Sequence, residues 1–125
     1  MTEQKENAPA REKKVVGLVE EITLTGKKGS KTVLAKVDTG AAKSSVDLKL
    51  AAEIELGTLV KTIVIRSAHG RMHRPVVKGE IDFAGRKMRA YFTIADRVHM
   101  KYRVLVGLNI LKRGFLVDPS KNEGC

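Results

Sequence analysis

Apolar and polar residues alternate in short bursts along most of the chain, and glycines punctuate the bursts. Val15-Val16-Gly17-Leu18-Val19-Glu20-Glu21-Ile22-Thr23-Leu24 reads as a strand, followed by a glycine-bearing turn over Thr25–Ser30. Lys31 to Val37 alternates into a second strand that Asp38-Thr39-Gly40 closes. Ser44 to Leu48 is a further short strand, and Leu48 to Leu56 fits one or two helical turns ended by Gly57. Val60 to Arg66 and Arg74 to Phe83 are β-rich and flank a tip at Ala68-His69-Gly70-Arg71. Pro75 places the second of them at a sheet edge or a strand beginning, because proline cannot donate to a ladder. Ala84-Gly85-Arg86 predicts a hairpin turn, with Lys87 to Ala95 pairing back. Tyr102 to Val106 predicts a buried strand and Asn109 to Lys112 a short helix, with Asn109 near its cap and Gly114 its stop. Phe115-Leu116-Val117 is a last strand before Asp118-Pro119. Many short strands, glycine turns and one or two short helices predict an all-β barrel or sandwich.

Residues 1–13 lack periodicity and carry alternating charge and Pro9, the pattern of a disordered tail. The expected organisation is one domain over residues 14–120 and a C-terminal tail over 121–125. The chain has 125 residues, of which 42% are apolar, enough for a modest core. With no Trp and few aromatics, that core must be mostly Val, Ile and Leu. No apolar run approaches the ~20 residues of a membrane span, and the first residues hold no apolar segment of a secretory signal. Cys125 is the only cysteine, which excludes an internal disulfide and a zinc site built on thiolates. A cytoplasmic location fits.

The formal charge is +10, unevenly spread: Arg66 to Arg103 holds ten Lys/Arg against three Asp/Glu. Such a field favours an anionic partner, although it serves equally as a solubilising surface.

The candidate chemistry is at Val37-Asp38-Thr39-Gly40-Ala41. An apolar strand runs straight into a carboxylate, followed by a small hydroxyl residue that ties a loop down and a glycine that lets a second backbone approach. By itself the triplet also fits an Asp making an Asx turn at a strand end. It occurs once, which points to a second copy of the chain as the source of a second such carboxylate. Leu105-Val106-Gly107 is another apolar strand end leading into a short helix.

These features resemble the retropepsin-like aspartic proteases over about Val15 to Pro119. The likeness rests on Asp38-Thr39-Gly40-Ala41, on the hairpin around Ala68-His69-Gly70 where that family has its flap, and on Leu105-Val106-Gly107 before a helix. A narrower set is similar to the prokaryotic branch that carries the label ATP-dependent zinc protease. It comprises Lys36 to Ala41, Arg74-Pro75-Val76-Val77, Asp96-Arg97 with Met100, Leu105 to Gly107 and Phe115 to Pro119. The resemblance implies a small closed β-barrel and a homodimer with a catalytic Asp38 from each copy. Thr39 then bonds across the dimer, and Ala68, His69, Gly70 and Arg71 form a flap tip over a peptide substrate. The implied reaction is peptide hydrolysis by a water activated between two carboxylates that share one proton. No cofactor is implied.

Two departures stand out. The viral members place an Asp shortly after the triplet and an Arg just after the second apolar-apolar-Gly; here those places hold Ala42 and Leu108. The flap tip is basic where the family has a glycine-rich apolar one, which points to an acidic or otherwise polar substrate. His69 and His73 flank a hairpin tip and His99 is distant in sequence, so exposed loop histidines fit better than a metal site. Asp96-Arg97 reads equally as a salt-bridged turn or a substrate contact. Asp47, Asp82 and Asp118 lack the strand–Thr/Ser–Gly context of a catalytic carboxylate. Two further classes compete: a non-enzymatic barrel that binds an acidic partner through its basic face, and a nucleic-acid binder. The second lacks an aromatic platform and any recognition motif.

Overall fold

The computed structural model describes residues 12–121. The tails expected at 1–13 and 121–125 lie almost wholly outside these residues, as does Cys125. The elements in chain order are β1 (Lys14–Val16), β2 (Val19–Gly26), β3 (Gly29–Val37), β4 (Ser44–Asp47), α1 (Leu48–Ile54), β5 (Thr58–Ser67), β6 (Gly70–Phe83), β7 (Arg86–Ala95), β8 (Val104–Val106), α2 (Leu108–Leu111) and β9 (Phe115–Val117).

Strands β2, β3, β8, β4, β7 and β6 pair in that order, and β6 pairs back onto β2 between Ile22–Thr25 and Glu80–Phe83. The expected all-β fold is therefore a closed six-stranded barrel with two helices. Closure leaves few open edges and surrounds a core of Ile22, Leu24, Val46, Leu50, Ile81, Phe92, Val104 and Val106, each at most 1% exposed. The core is aliphatic, as the composition requires. Two of its aromatic members, Phe83 and Phe115, meet with ring centroids 4.8 Å apart. Buried Arg86 stacks over Phe115 and donates to the carbonyls of Glu12, Arg113 and Gly114, tying both ends of the described chain to the barrel. There β1 and β9 form a separate parallel pair.

Several boundaries differ from the sequence expectation for physical reasons. The apolar run from Val15 to Leu24 is two strands, because the chain leaves β9 at Gly17-Leu18 and joins the barrel at Val19. The first turn tightens to Lys27-Lys28, between the register partners Gly26 and Gly29. Strand β6 begins at Gly70 rather than Arg74, since pairing with β5 runs to the tip pair Ser67 and Gly70. Pro75 is thus interior to a strand, yet the ladder with β7 starts only at Val76, so β6 has one neighbour there. Strand β8 begins at Val104 rather than Tyr102. Gly107, not Asn109, is the N-cap residue of α2.

Candidate active site

Strands β3 and β8 run parallel, with Val37 beside Val106, so Asp38 and Gly107 emerge side by side at one end of the barrel. The Asp38 amide donates to the Val106 carbonyl at 2.9 Å. Its half-buried carboxylate accepts from the Gly40 amide at 2.9 Å, the Asx turn that fixes the loop. A Cβ on Gly40 would stand 3.2 Å from that carboxylate oxygen, so glycine leaves the acid room. Thr39 is exposed.

The second turn is packed against the first. A Cβ on Gly107 would lie 2.3 Å from the Lys43 carbonyl oxygen and 2.7 Å from that of Ala41, so only glycine fits. The first amides of α2 complete the joint: Leu108 donates to the Ala41 carbonyl at 2.8 Å and Asn109 to that of Ala42 at 3.2 Å. Fully buried Ser44 accepts from the Gly107 amide at 2.9 Å and donates to the Asn109 side-chain oxygen at 2.7 Å. The Asn109 amide group in turn donates to the Tyr91 carbonyl at 3.0 Å. With Ala42 and Leu108 in place of a charged pair, the loops are joined by backbone bonds and by Ser44 with Asn109. Leu105 and Val106 lie on β8, and Ala41 supplies its carbonyl to the joint.

Two cavities of about 350 Å³ reach residues next to this loop, Lys43 in one and Val37 in the other. One lies under the hairpin of β5 and β6, lined by Val60, Lys61, Ile63 and Val76 of the hairpin and by Lys43, Tyr91, Thr93 and Asn109 below. A register shift between Leu59 and Lys61 brings Val60 into it as well as Lys61. The other is lined by Leu18, Val19, Lys36 and Val37 beside Asp38 and by Arg97, Met100, Lys101 and Tyr102.

The loop carrying those last residues is held by Asp47. This carboxylate is 1% exposed. One oxygen accepts the Arg97 amide at 2.8 Å; the other accepts Arg103 Nη2 at 2.6 Å and the amides of Lys49 and Leu50, capping α1. Burial by itself pushes the Asp47 carboxyl up. The Arg103 guanidinium and the Arg97 and Leu50 amides outweigh it and hold the group below its ordinary value of 3.8. Arg97 Nε closes the loop on the Tyr102 carbonyl at 3.1 Å, and the Asp96 carboxylate accepts the Val98 amide at 3.2 Å. Asp96 and Arg97 thus shape a turn through the backbone. Asp47, set aside as a catalytic group, is a structural staple; its place between a strand and a helical run was the available signal.

The hairpin tip is the turn Ala68-His69, followed by Gly70 with φ of 107°. Residues directly opposite on an antiparallel pair share a face. Lys61, Ile63 and Val76 line the cavity, so Arg74, the register partner of Ile63, is on the cleft face too. Arg71 pairs with Arg66 and is on the other face. The sequence reading placed Arg71 at the flap tip and quoted Arg74 only within the Arg74-Pro75-Val76-Val77 motif. His73 is opposite Val64 on the outer face and His99 is in the loop after β7. Among the described residues no three His, Cys, Asp or Glu are grouped to hold a metal ion.

A profile of the RimB-like family, described as retropepsin-like aspartic endopeptidase RimB, matches residues 47–124. The chain belongs to this family. The match covers more than half of the RimB-like chain and starts after the Asp38–Gly40 triplet. The fold is similar to the crystal structure of Lpg0085, a Legionella pneumophila protein of unknown function (DUF785). The TM-score is 0.60 at 22% identity, over 85% of this chain and 93% of that one. It is also similar to the solution structure of the Simian foamy virus (mac) protease, with TM-score 0.56 and 22% identity over 74% and 89% of the two chains. No curated protein matches the sequence. Membership makes this RimB-like chain a retropepsin-like aspartic protease module. No helix among the described residues is long and apolar enough to cross a membrane.

Proposed function

We propose that the chain is a homodimeric aspartic endopeptidase whose dyad is made of one Asp38 from each copy, in a catalytic unit spanning residues 14–120. The observation that carries this reading is the single Asp38 loop, its Asp38 half-buried and its backbone locked to the Gly107 turn. Two carboxylates brought together there share a proton. The ionised one draws a proton from water as general base, and the protonated one donates to the scissile carbonyl oxygen. Thr39, Gly40 and Ala41 keep the loop in place, with Leu105, Val106 and Gly107 as its counterpart. Ala68, His69, Gly70 and Arg71 form the flap tip that closes over the peptide and excludes water, with the Arg71 side chain on its outer face. The register partners Val15 and Leu116, 44% and 52% exposed, offer an apolar face to a second copy.

Acidic peptides are the substrate this cleft favours. Lys43 and Lys61 rim an otherwise largely apolar cavity, and Arg74 stands on the same side of the flap. An acidic side chain with an aliphatic stem meets both kinds of surface there. The single cysteine supports a cytoplasmic setting.

The test is cleavage of acid-rich peptides by wild type and by Asp38→Asn, with sedimentation of both. Cleavage by a dimer, lost in the variant, is the expected result; equal cleavage by both, or a strict monomer that cleaves, ends the dyad reading. The basic flap favours a second reading, a barrel that binds an acidic partner without cutting it. That reading predicts salt-sensitive binding that survives Asp38→Asn, with no cleavage by either form.

A further inference from the structure

The far side of the flap carries a feature that neither the fold nor the cleft uses. Arg66 of β5 and Arg71 of β6 are directly opposed, one register position from the tip pair, and both are exposed. They share their face with His73 and point away from the cavity that Lys61, Ile63 and Val76 line. Like charges directly opposite across a hairpin repel. No carboxylate among the described residues pairs with either guanidinium. The barrel does not need them, since no residue between Leu56 and Val76 belongs to the core. A peptide under the flap does not reach them, because they face the other way.

Two guanidinium forks side by side are suited to carboxylates, which they bind bidentately. Arg74, on the cleft face, is three residues along β6 from Arg71, about 10 Å at the rise of a strand. Three or four extended residues bridge that distance. We propose that the outer face of the flap is an exosite for an acidic polypeptide. The part of an acidic substrate that leaves the cleft past Arg74 turns over the hairpin and binds Arg66 and Arg71. Its carboxylates replace the repulsion between the arginines with attraction to both and steady the closed flap. The proposal rests on the reading that acidic peptides are cleaved at Asp38, and it adds a second contact outside the cleft.

The test uses one cleavable acidic peptide carrying a short or a long tail of D-glutamate. Wild type should show a KM about tenfold lower for the long tail at low salt, the equivalent of two exposed ion pairs, with kcat unchanged. The variant is Arg66→Glu. It turns the opposed pair into an ion pair with Arg71 and so keeps the hairpin intact. It should cleave the short-tailed peptide like wild type and lose the advantage of the long tail. An equal tail effect in wild type and variant, or no tail effect in wild type, overturns the exosite. So does a single-stranded oligonucleotide that displaces the tail better than a free acidic peptide, since it assigns the face to nucleic acid. If neither protein cuts the short peptide while the tail still binds wild type and not Arg66→Glu, the cleavage reading fails and the exosite stands.

Discussion

The Ser44 hydroxyl and the Asn109 side-chain oxygen, 65 positions apart in sequence, lie 2.7 Å apart and stitch the Asp38 loop to helix α2. Ser44 also satisfies the buried Gly107 amide. Removing its hydroxyl leaves that donor without an acceptor, at a cost of about 1–3 kcal/mol. Ser44→Ala and Asn109→Ala should each destabilise the fold. A double-mutant cycle by urea unfolding should give a coupling of at least about 0.5 kcal/mol; strict additivity would show that the two side chains act separately.

Gly107 admits no side chain. Gly107→Ala should cost on the order of 3 kcal/mol, because its Cβ would overlap two carbonyl oxygens of backbone that cannot swing aside. The same denaturant titration reads it, and a loss below roughly 0.5 kcal/mol would mean that the two turns are less tightly joined than the structure has them.

The Asp47 staple makes a statement about acid. Its carboxyl titrates below the ordinary 3.8 in the folded chain. The stability it contributes is therefore complete above the unfolded value and is lost as pH falls through the lower folded one. Wild type should lose stability below pH 3.8 more steeply than Asp47→Asn. Glu53 and Asp118, both also lowered by hydrogen bonds, keep their own acid response in each protein. Parallel acid limbs would rule out the staple as a charged group. Asp47→Ala should cost about 3 kcal/mol, the low end for a broken buried pair, since Arg103 is 37% exposed and can turn to water.

If each copy supplies one Asp38, mixed dimers of wild type and Asp38→Asn hold a single intact carboxylate. Activity in mixtures should then fall with the square of the wild-type fraction after subunit exchange. A linear fall, measured by peptide cleavage, would assign the whole reaction to one chain.

Most strands were legible because glycine turns bracket alternating runs. The strand ends before Asp38 and Gly107 and the hairpin tip at Ala68-His69 were legible because each ends or interrupts such a run. What escaped the sequence depends on partners far along the chain. The break at Gly17-Leu18 is set by β9, and the extent of β6 by pairing with β5. Arg74 rather than Arg71 faces the cleft only because of the register across the hairpin, which no local pattern encodes. Asn109 has the composition of a cap, but its side chain is taken up by Ser44 and the Tyr91 carbonyl at the barrel end.

The outer part of the β5–β6 hairpin, from Thr58 to Pro75, stands outside the core. Changes along it therefore carry little of the mutational load that a barrel position would. Selection can rewrite what this protein recognises while leaving the folding of its chemical centre almost untouched, so the flap is where relatives with the same barrel should diverge first.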